Sequence, residues 1–279
     1  MHPVEKALWF IENRLSGEIS LQDIARAVGV SSHHLARAFG EATGLSLMRY
    51  ARGRGLSEAA RVLSGGAPDI LSVALDAGYG SHEAFTRAFR EQFGLTPEAC
   101  RAQGSFDNMK LVEPIRMDKS LLIDLEAPRF ADEKELLIAG LGVRYTFETN
   151  EGIPMQWQRF GPHTGHVAGQ VGHETYGLCC NADDSGSFEY VCGVRVASFG
   201  DLPREFSAVR VPAHRYAVFR HREHVSQLRR THYTIWNKWF PDAGMTVADA
   251  PSFELYGADF NPVTGMGMIE VWMPVNGKG

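Results

Sequence analysis

Polar side chains that could contact DNA cluster in one short segment, residues 78–101. Arg87 and Arg90 lie on one side of a predicted helix, together with His82, Glu83 and Thr86. An arginine on an exposed helix can form two hydrogen bonds with guanine, a glutamate can accept one from cytosine, and a threonine can contact a thymine methyl group. These side chains, on a helix short enough to enter the major groove, indicate a base-reading surface.

The elements that position these side chains have clear boundaries in the sequence. Ser81 supplies a hydroxyl that can cap the start of the helix. Phe85 and Phe89, four residues apart, form an apolar seam on its other side. Gly94 ends the helix, and a Thr-Pro pair then begins another one. The pattern predicts a helix-turn-helix.

The same pattern occurs once earlier in the chain, at a constant offset of 50 residues. The matching residues are Leu35, Arg37, Ala38, Phe39, Gly44, Leu45 and Ser46, which correspond to Phe85, Arg87, Ala88, Phe89, Gly94, Leu95 and Thr96. A predicted helix over residues 47–63 joins the two copies. Either copy alone would also suit an ordinary helical bundle with solvated faces, but the repetition favours two DNA-binding units.

Residues 5–103 resemble the AraC-type DNA-binding domain. The resemblance rests on residues 24–46, on Tyr50, Arg54 and Leu56 in the connecting helix, and on residues 78–101. It implies an all-α domain whose two recognition helices enter major-groove segments about one turn (~34 Å) apart. The side chains that would then face promoter DNA are Ser32, His33, His34, Arg37, Ser81, His82, Glu83, Thr86, Arg87 and Arg90. The family also implies RNA polymerase as a partner, and activation rather than repression.

The overall charge excludes a uniformly basic nucleic-acid binder, because the net charge is -5 and the pI about 6.1. Residues 1–104 contain eleven Lys and Arg and eleven Asp and Glu, so this part is close to neutral. Affinity for the phosphate backbone must therefore come from a local positive stripe. The candidates for that stripe are Arg49, Arg52, Arg54, Arg87 and Arg90.

From about residue 135 the apolar pattern changes, and the order strand-helix-strand-strand occurs twice. The predicted strands are residues 136–148, 175–181, 187–197, 207–222, 251–257 and 267–275, and the predicted helices lie within residues 153–167 and 225–241. Each unit leaves one sheet face uncovered. Pairing the two units gives an α+β domain with a continuous sheet and helices on one side.

Glu254 is the side chain in this half with the clearest potential for binding chemistry. Strand alternation places Glu254 and Tyr256 on one face and Phe253 and Leu255 on the other. A carboxylate among aromatic rings is costly unless it is paired, and a ligand cation would pair with it. The alternatives are a surface carboxylate or one paired with a nearby arginine.

Residues 110–279 resemble the gyrase-inhibitor-like effector-binding domain, most closely over residues 186–275. The matching segments are residues 188–194, 212–219, 235–241 and 253–256. The resemblance implies a groove between the two repeats that binds small, often flat, hydrophobic and cationic molecules, with Glu254 as the charge partner. The candidate walls of the groove are Trp157, Tyr176, Tyr190 and Trp236. Some stand-alone relatives are hydrolases that use a glutamate and a tyrosine in this groove.

No cofactor or metal is expected. His163, His166 and His173 fit no standard zinc pattern, and no nucleotide-binding fingerprint is present. The four cysteines suit reduced thiols, no signal peptide is evident, and the apolar runs are too short to span a membrane. We therefore expect a cytoplasmic protein.

Together these patterns predict a multidomain protein, with a double helix-turn-helix domain at 1–106, a linker at 107–133 and an effector-binding domain at 134–279. The expected function is that of a DNA-binding transcription regulator controlled by a small molecule, and not that of an enzyme. The alternatives are a hydrolase or a ligand-sequestering protein tethered to DNA, or a domain whose groove is vestigial and contacts only partner proteins.

Overall fold

A computed structural model describes residues 3–67, 69–183 and 187–276. The outer ends of the two predicted domains, residues 1–2 and 277–279, lie outside the described residues. The chain divides into two compact units. The first comprises the residues up to Phe39 and Leu45–Met117, and the second comprises Gly40–Gly44 and the residues from Asp118 onward.

The first unit is helical. Its helices are α1 (Pro3–Glu12), α2 (Leu21–Val28), α3 (Ser32–Thr43), α4 (Leu47–Ser64), α5 (Ile70–Asp76), α6 (His82–Phe93) and α7 (Pro97–Gln103). The helices predicted from the sequence periodicity are therefore confirmed. Their apolar seams meet in a core that includes Leu63 of α4 together with Phe85 and Phe89 of α6.

Side-chain caps fix where these helices begin. Ser20 and Asp23 form a capping box at α2, in which the Ser20 hydroxyl accepts from the Asp23 amide at 3.1 Å. The Ser81 hydroxyl likewise accepts from the Ala84 amide at 3.1 Å and caps α6. Gly94 ends α6 with a φ of 76°, a left-handed conformation that favours glycine. Local sequence thus sets both ends of α6.

Arg54 lies at the centre of a buried ion network in the first unit, which corrects its assignment to the positive stripe. Its side chain is only 4% exposed and donates three hydrogen bonds to Glu12, from Nε to Oε1 at 2.9 Å and to Oε2 at 3.1 Å, and from Nη2 to Oε2 at 2.8 Å. Nη2 also donates to Glu58 at 3.0 Å. Burial alone would raise the pKa of Glu12, but Arg54 and the Tyr50 hydroxyl outweigh it, so this pKa is lowered.

The segment of residues 109–115 packs along α4. The Val112 amide donates to the Ser57 hydroxyl at 2.9 Å, its carbonyl accepts from Arg54 at 3.0 Å, and the Ile115 amide donates to the Tyr50 hydroxyl at 3.2 Å. A Cβ at Gly53 would lie 2.9 Å from a methyl group of Val112. This close approach explains a glycine inside a helix, where it costs about 1 kcal/mol relative to alanine.

The described part of the second unit contains one eight-stranded sheet with antiparallel pairs, in the order β1-β6-β8-β7-β3-β4-β2-β5. The strands are β1 (Arg129–Glu133), β2 (Leu136–Thr146), β3 (Gln170–Cys180), β4 (Ser187–Val196), β5 (Phe206–Val211), β6 (His214–His221), β7 (Ser252–Tyr256) and β8 (Ile269–Pro274). Helix α8 (Ile153–Phe160) follows β2. Helix α9 (Leu228–Thr234) follows β6 and continues through a π-helical turn, Ile235–Trp239, into α10 (Phe240–Ala243).

The single strand predicted for residues 207–222 is wrong. It is two strands, β5 and β6, separated by Pro212-Ala213, and the sheet order places them near opposite edges. Pro212 has no amide hydrogen to donate to a neighbouring strand, so strand pairing stops there and the chain leaves the sheet edge formed by β5. In the predicted linker, the strand at Arg129–Glu133 pairs with β6 and belongs to the sheet.

The two faces of the sheet carry different side chains. One face holds an apolar cluster that includes Tyr176, Phe253 and Trp272. The other face packs against α8, whose Gln156 side chain donates at 2.8 Å to the carbonyls of Leu141 in β2 and Tyr190 in β4. These two hydrogen bonds join α8 to neighbouring strands and hold it above the face that carries Glu254.

No helix in the described ranges has the length and apolar character needed to cross a membrane.

Candidate functional site

The predicted DNA-contacting residues of α6 form one surface. His82, Glu83, Thr86, Arg87 and Arg90 line a shallow depression together with Glu91. Glu83, Arg87 and Arg90 are exposed, and Thr86 is half-buried. Two guanidinium groups one turn apart can therefore reach a base edge or a phosphate without rearrangement of the helix.

Two of the predicted DNA-contacting residues, at the start of α6, already bind other groups of the first unit. The Ser81 hydroxyl caps the helix, so its acceptor capacity is partly used. His82 Nε2 lies 2.9 Å from Glu98 Oε1 in the first turn of α7, and both side chains are nearly half exposed. Ser81 and His82 therefore hold the start of α6 in place, whereas Arg87 and Arg90 lie on its exposed side.

The equivalent residues of α3 are less accessible than the sequence repeat predicts. Ser32 and His33 are half-buried, while His34 and Arg37 are only 2% and 6% exposed. His34 and Arg37 are one turn apart and border the buried seam residues Leu35 and Ala38. Burial, with contributions from His33 and Arg37, lowers the pKa of His34 to about 4, so its ring is neutral at pH 7.

The second candidate site surrounds Glu254 in the middle of the sheet. Oε2 of Glu254 accepts hydrogen bonds from the Tyr190 hydroxyl at 2.7 Å and the Tyr256 hydroxyl at 2.9 Å. Oε1 lies 3.1 Å from Nε2 of His232 in α9. The site joins both halves of the sheet, because Glu254 lies on β7 directly opposite Gly177 of β3.

The electrostatics of this cluster favour a charged carboxylate. The side chains of Glu254 and His232 are 12% and 14% exposed. Burial alone would raise the pKa of Glu254, but the hydrogen bond and charge of His232 and the two tyrosine hydroxyls outweigh it, so the pKa is lowered. Burial and the nearby carboxylate raise the pKa of Tyr190 and Tyr256 well above their usual range, which keeps both hydroxyls protonated as donors.

Aromatic rings and a glycine complete the site. The indole Nε1 of Trp157 donates to the Tyr190 hydroxyl at 3.2 Å, and its ring centroid is 4.9 Å from that of Tyr256. A Cβ at Gly177 would lie 2.2 Å from the Tyr190 hydroxyl and 2.7 Å from Oε2 of Glu254. The absence of a side chain at this position therefore leaves room for the carboxylate and the phenol to meet.

The structure brings three of the five predicted effector-binding residues together, namely Glu254, Trp157 and Tyr190. Tyr176 does not share their face, because it pairs with Leu255 and packs on Phe253. The prediction for Tyr176 is therefore corrected by the register between β3 and β7. Trp236 is 1% exposed, and its ring lies 5.3 Å from that of Phe240, so it belongs to the core around α10 in this structure.

The sequence did not identify His232 as a site residue, and it indicated no role for Gly177. One signal for His232 was present, because it precedes Trp236 by one turn on a predicted amphipathic helix. Gly177 carried no local signal, since its importance depends on two side chains from other strands. Among the described residues, no group of three or more histidine, cysteine or acidic side chains is arranged to hold a metal ion.

Comparison with known protein families matches both parts of the chain. A family described as the GyrI-like small molecule binding domain matches residues 126–276. A family described as a helix-turn-helix domain matches residues 24–103. The two matches divide the chain between a helical part and a sheet-containing part, as the fold does.

Individual relatives resemble parts of the chain. The transcriptional regulator Rob of Salmonella typhimurium is 34% identical over 114 residues, which is 41% of this chain and 39% of Rob. The multiple antibiotic resistance protein MarA of Escherichia coli is 30% identical over 112 residues, 40% of this chain and 88% of MarA. The match thus spans about two fifths of the length of Rob.

A solved structure also matches part of the chain. The structure of SAV2435 bound to tetraphenylphosphonium shares 20% identity with this chain at a TM-score of 0.47, and the match covers 55% of this chain and 95% of that one.

Proposed function

Because the chain belongs to the AraC-type helix-turn-helix family and carries a GyrI-like small molecule binding domain, we propose that it is a one-component transcription regulator. Its first unit binds double-stranded promoter DNA, and a small molecule bound by its second unit controls that activity. We propose a DNA-binding domain at residues 1–106, and we extend the effector-binding domain predicted at 134–279 to include the strand Arg129–Glu133, which pairs with β6; residues 107–128 then remain as the linker. RNA polymerase is the further partner we propose, with activation as the outcome, in the cytoplasm where DNA is accessible.

The exposed face of α6 supports the DNA-binding half of this proposal. Arg87 and Arg90 project from a capped helix whose opposite side is anchored in the core by Phe85 and Phe89. The apolar side of the helix is therefore anchored, and its exposed guanidinium groups can read guanine or contact phosphate. Arg37 in α3 is buried, so we assign the main base contacts to Arg87.

The buried carboxylate of Glu254 is the observation that carries the effector half of the proposal. A carboxylate that is 12% exposed, among two tyrosines and a tryptophan, is a costly feature for a structural core. Such an environment suits a hydrophobic organic cation, which gains an ion pair with the carboxylate and cation–π contact with the rings. We therefore propose Glu254, Tyr190, Trp157, Tyr256 and His232 as the effector site.

The order of elements supports a duplicated architecture around this site. β2, α8, β3 and β4 form one strand-helix-strand-strand set, and β6, α9, β7 and β8 form the other. The two sets meet where β3 pairs with β7. We propose that an effector lies across this junction and favours one conformation of the sheet, since a ligand can shift an equilibrium only by its preference for one state.

Calorimetric titration of the full chain with tetraphenylphosphonium tests this proposal. We expect binding to the natural protein and a loss of at least tenfold in affinity for Glu254→Gln, because the ion pair is removed. Glu189→Gln is the matched control. Glu189 lies on β4 next to Tyr190, and its carboxylate accepts hydrogen bonds from Asn181 and Ser207. Its replacement should leave the affinity unchanged.

Four further measurements test this proposal against the alternatives. Binding of the isosteric anion tetraphenylborate with equal affinity would contradict recognition of a cation. Release of a modified product from incubated ligands would favour the hydrolase alternative over sensing. DNA binding by Glu254→Gln without ligand should equal that of the natural protein, and genome-wide mapping of binding sites with and without the cation should show sites whose occupancy depends on it.

A further inference from the structure

His232 occupies the position at Glu254 that the cation of an effector would need. The carboxylate has no unused oxygen in the structure, because Oε1 faces His232 and Oε2 accepts from two tyrosines. A cationic ligand that approaches Glu254 therefore meets a site whose charge is already matched. The tyrosine hydroxyls are neutral donors and can stay in place, so His232 is the partner with which the ligand competes.

We propose that the protonated imidazole of His232 is the resident counter-ion of Glu254, and that a cationic effector replaces it, so that binding releases one proton from His232. This inference rests on the proposed function, since it concerns the same carboxylate. It assigns His232 the role of setting specificity. A neutral hydrophobic molecule leaves the His232–Glu254 pair intact, whereas a cation supplies the charge that the imidazole gives up.

The geometry supports competition rather than joint binding. Two cations beside one carboxylate repel each other, and this repulsion is strong where water is largely excluded. The imidazole can become neutral by losing a proton, which an organic phosphonium or ammonium without acidic hydrogens cannot do. The protein therefore reduces the repulsion by deprotonating His232, and the proton passes to the solvent.

Other titratable groups near the pair do not produce the same effect. Groups on the neighbouring strands that influence the pair or its partners are Cys179 (β3), Tyr190 and Cys192 (β4), His221 (β6) and Tyr256 (β7). The pKa of both tyrosines and of the Cys192 thiol is raised, mainly by burial. The ring of His221 is bound to the Thr231 hydroxyl and the His224 carbonyl, and burial lowers its pKa.

The expected pH dependence follows from these directions. Over the pH range in which His232 loses its proton, the affinity for a permanent cation should rise with pH by up to about tenfold per unit, because less His232 must be deprotonated. Above the titration of His232 the affinity should become constant. The pKa of Glu254 is lowered from 4.5, so the carboxylate becomes protonated only at a lower pH than this range.

The experiment is calorimetric titration of the full chain with tetraphenylphosphonium at pH 5.5 and pH 8, in two buffers of different ionisation enthalpy. We expect release of close to one proton at pH 5.5, almost none at pH 8, and tighter binding at pH 8. Neutral triphenylphosphine oxide should release no proton. His232→Gln keeps an amide donor for Glu254 without a titrating charge and should bind the phosphonium independently of pH.

His173→Gln is the matched control, because His173 is exposed on β3, and its pH dependence should equal that of the natural protein. Phosphonium affinity that differs less than twofold between the two pH values, with no proton release, would overturn the role of His232 while leaving the effector site in place. Full pH dependence retained in His232→Gln would overturn it as well. Absence of phosphonium binding at both pH values would instead refute the proposed effector class itself, and with it this inference.

Discussion

Replacing Arg54 with methionine tests whether the buried ion network holds the first unit together. The guanidinium group is 4% exposed and donates to Glu12, to Glu58 and to the Val112 carbonyl. Removing one partner of a buried ion pair costs about 3–5 kcal/mol, because the other charge is left without compensation. Glu12 is 24% exposed and keeps its hydrogen bond from Tyr50, so we expect a loss near the lower end, about 3 kcal/mol.

Urea unfolding of the full chain, followed by circular dichroism at 222 nm, measures this loss. Hydrogen exchange adds a local measurement, since the amides of Val112 and Ile115 donate to side chains of α4 and should lose protection. Arg26→Met is the matched control. Its side chain is 80% exposed and 3.6 Å from Asp23, and such surface pairs contribute about 0–1 kcal/mol.

A double substitution separates charge pairing from packing. If the network matters through its charges, Glu12→Leu with Arg54→Met should lose clearly less than the sum of the single losses, because neither charge is then left unpaired. Additive losses, or a loss below about 1 kcal/mol for Arg54→Met alone, would refute the reasoning. Equal losses in Arg54→Met and Arg26→Met would refute it too.

Three other substitutions or conditions give direct tests. The pKa of Glu12 is lowered on folding, so its stabilising effect is complete above the unfolded pKa of about 4.5 and is lost as the pH falls. Glu12→Gln has no such titrating group, so the loss of helix on acidification between pH 3 and 6 should be smaller in this variant. Gly177→Ala adds a Cβ 2.2 Å from a hydroxyl of the effector site and should weaken phosphonium binding about tenfold in calorimetry, whereas Gly161→Ala, with nothing within 4 Å, should not. Arg87→Ala should cost about 1–3 kcal/mol at the cognate operator in fluorescence anisotropy. Arg14→Ala, at an exposed position just after α1, should cost much less, and equal losses would remove Arg87 as the base reader.

The sequence by itself determined the features that depend on neighbours along the chain. The Ser81 cap and the Gly94 stop follow from interactions within one helical turn, and the structure confirms both. Alternation in residues 251–257 likewise predicted that Glu254 and Tyr256 share a face, because successive strand residues point to opposite sides. These features are local and therefore readable from spacing.

Only the tertiary structure decided which distant residues meet. His232 reaches Glu254 from another element, Gly177 leaves space for a hydrogen bond between two other strands, and Tyr176 lies on the far face because of the register between β3 and β7. Arg54 has the same charge as Arg87, yet it is buried by a pairing with Glu12 that is 42 residues distant. Composition and periodicity carry no information on such pairings, because strand register and helix packing are set by the fit of whole surfaces.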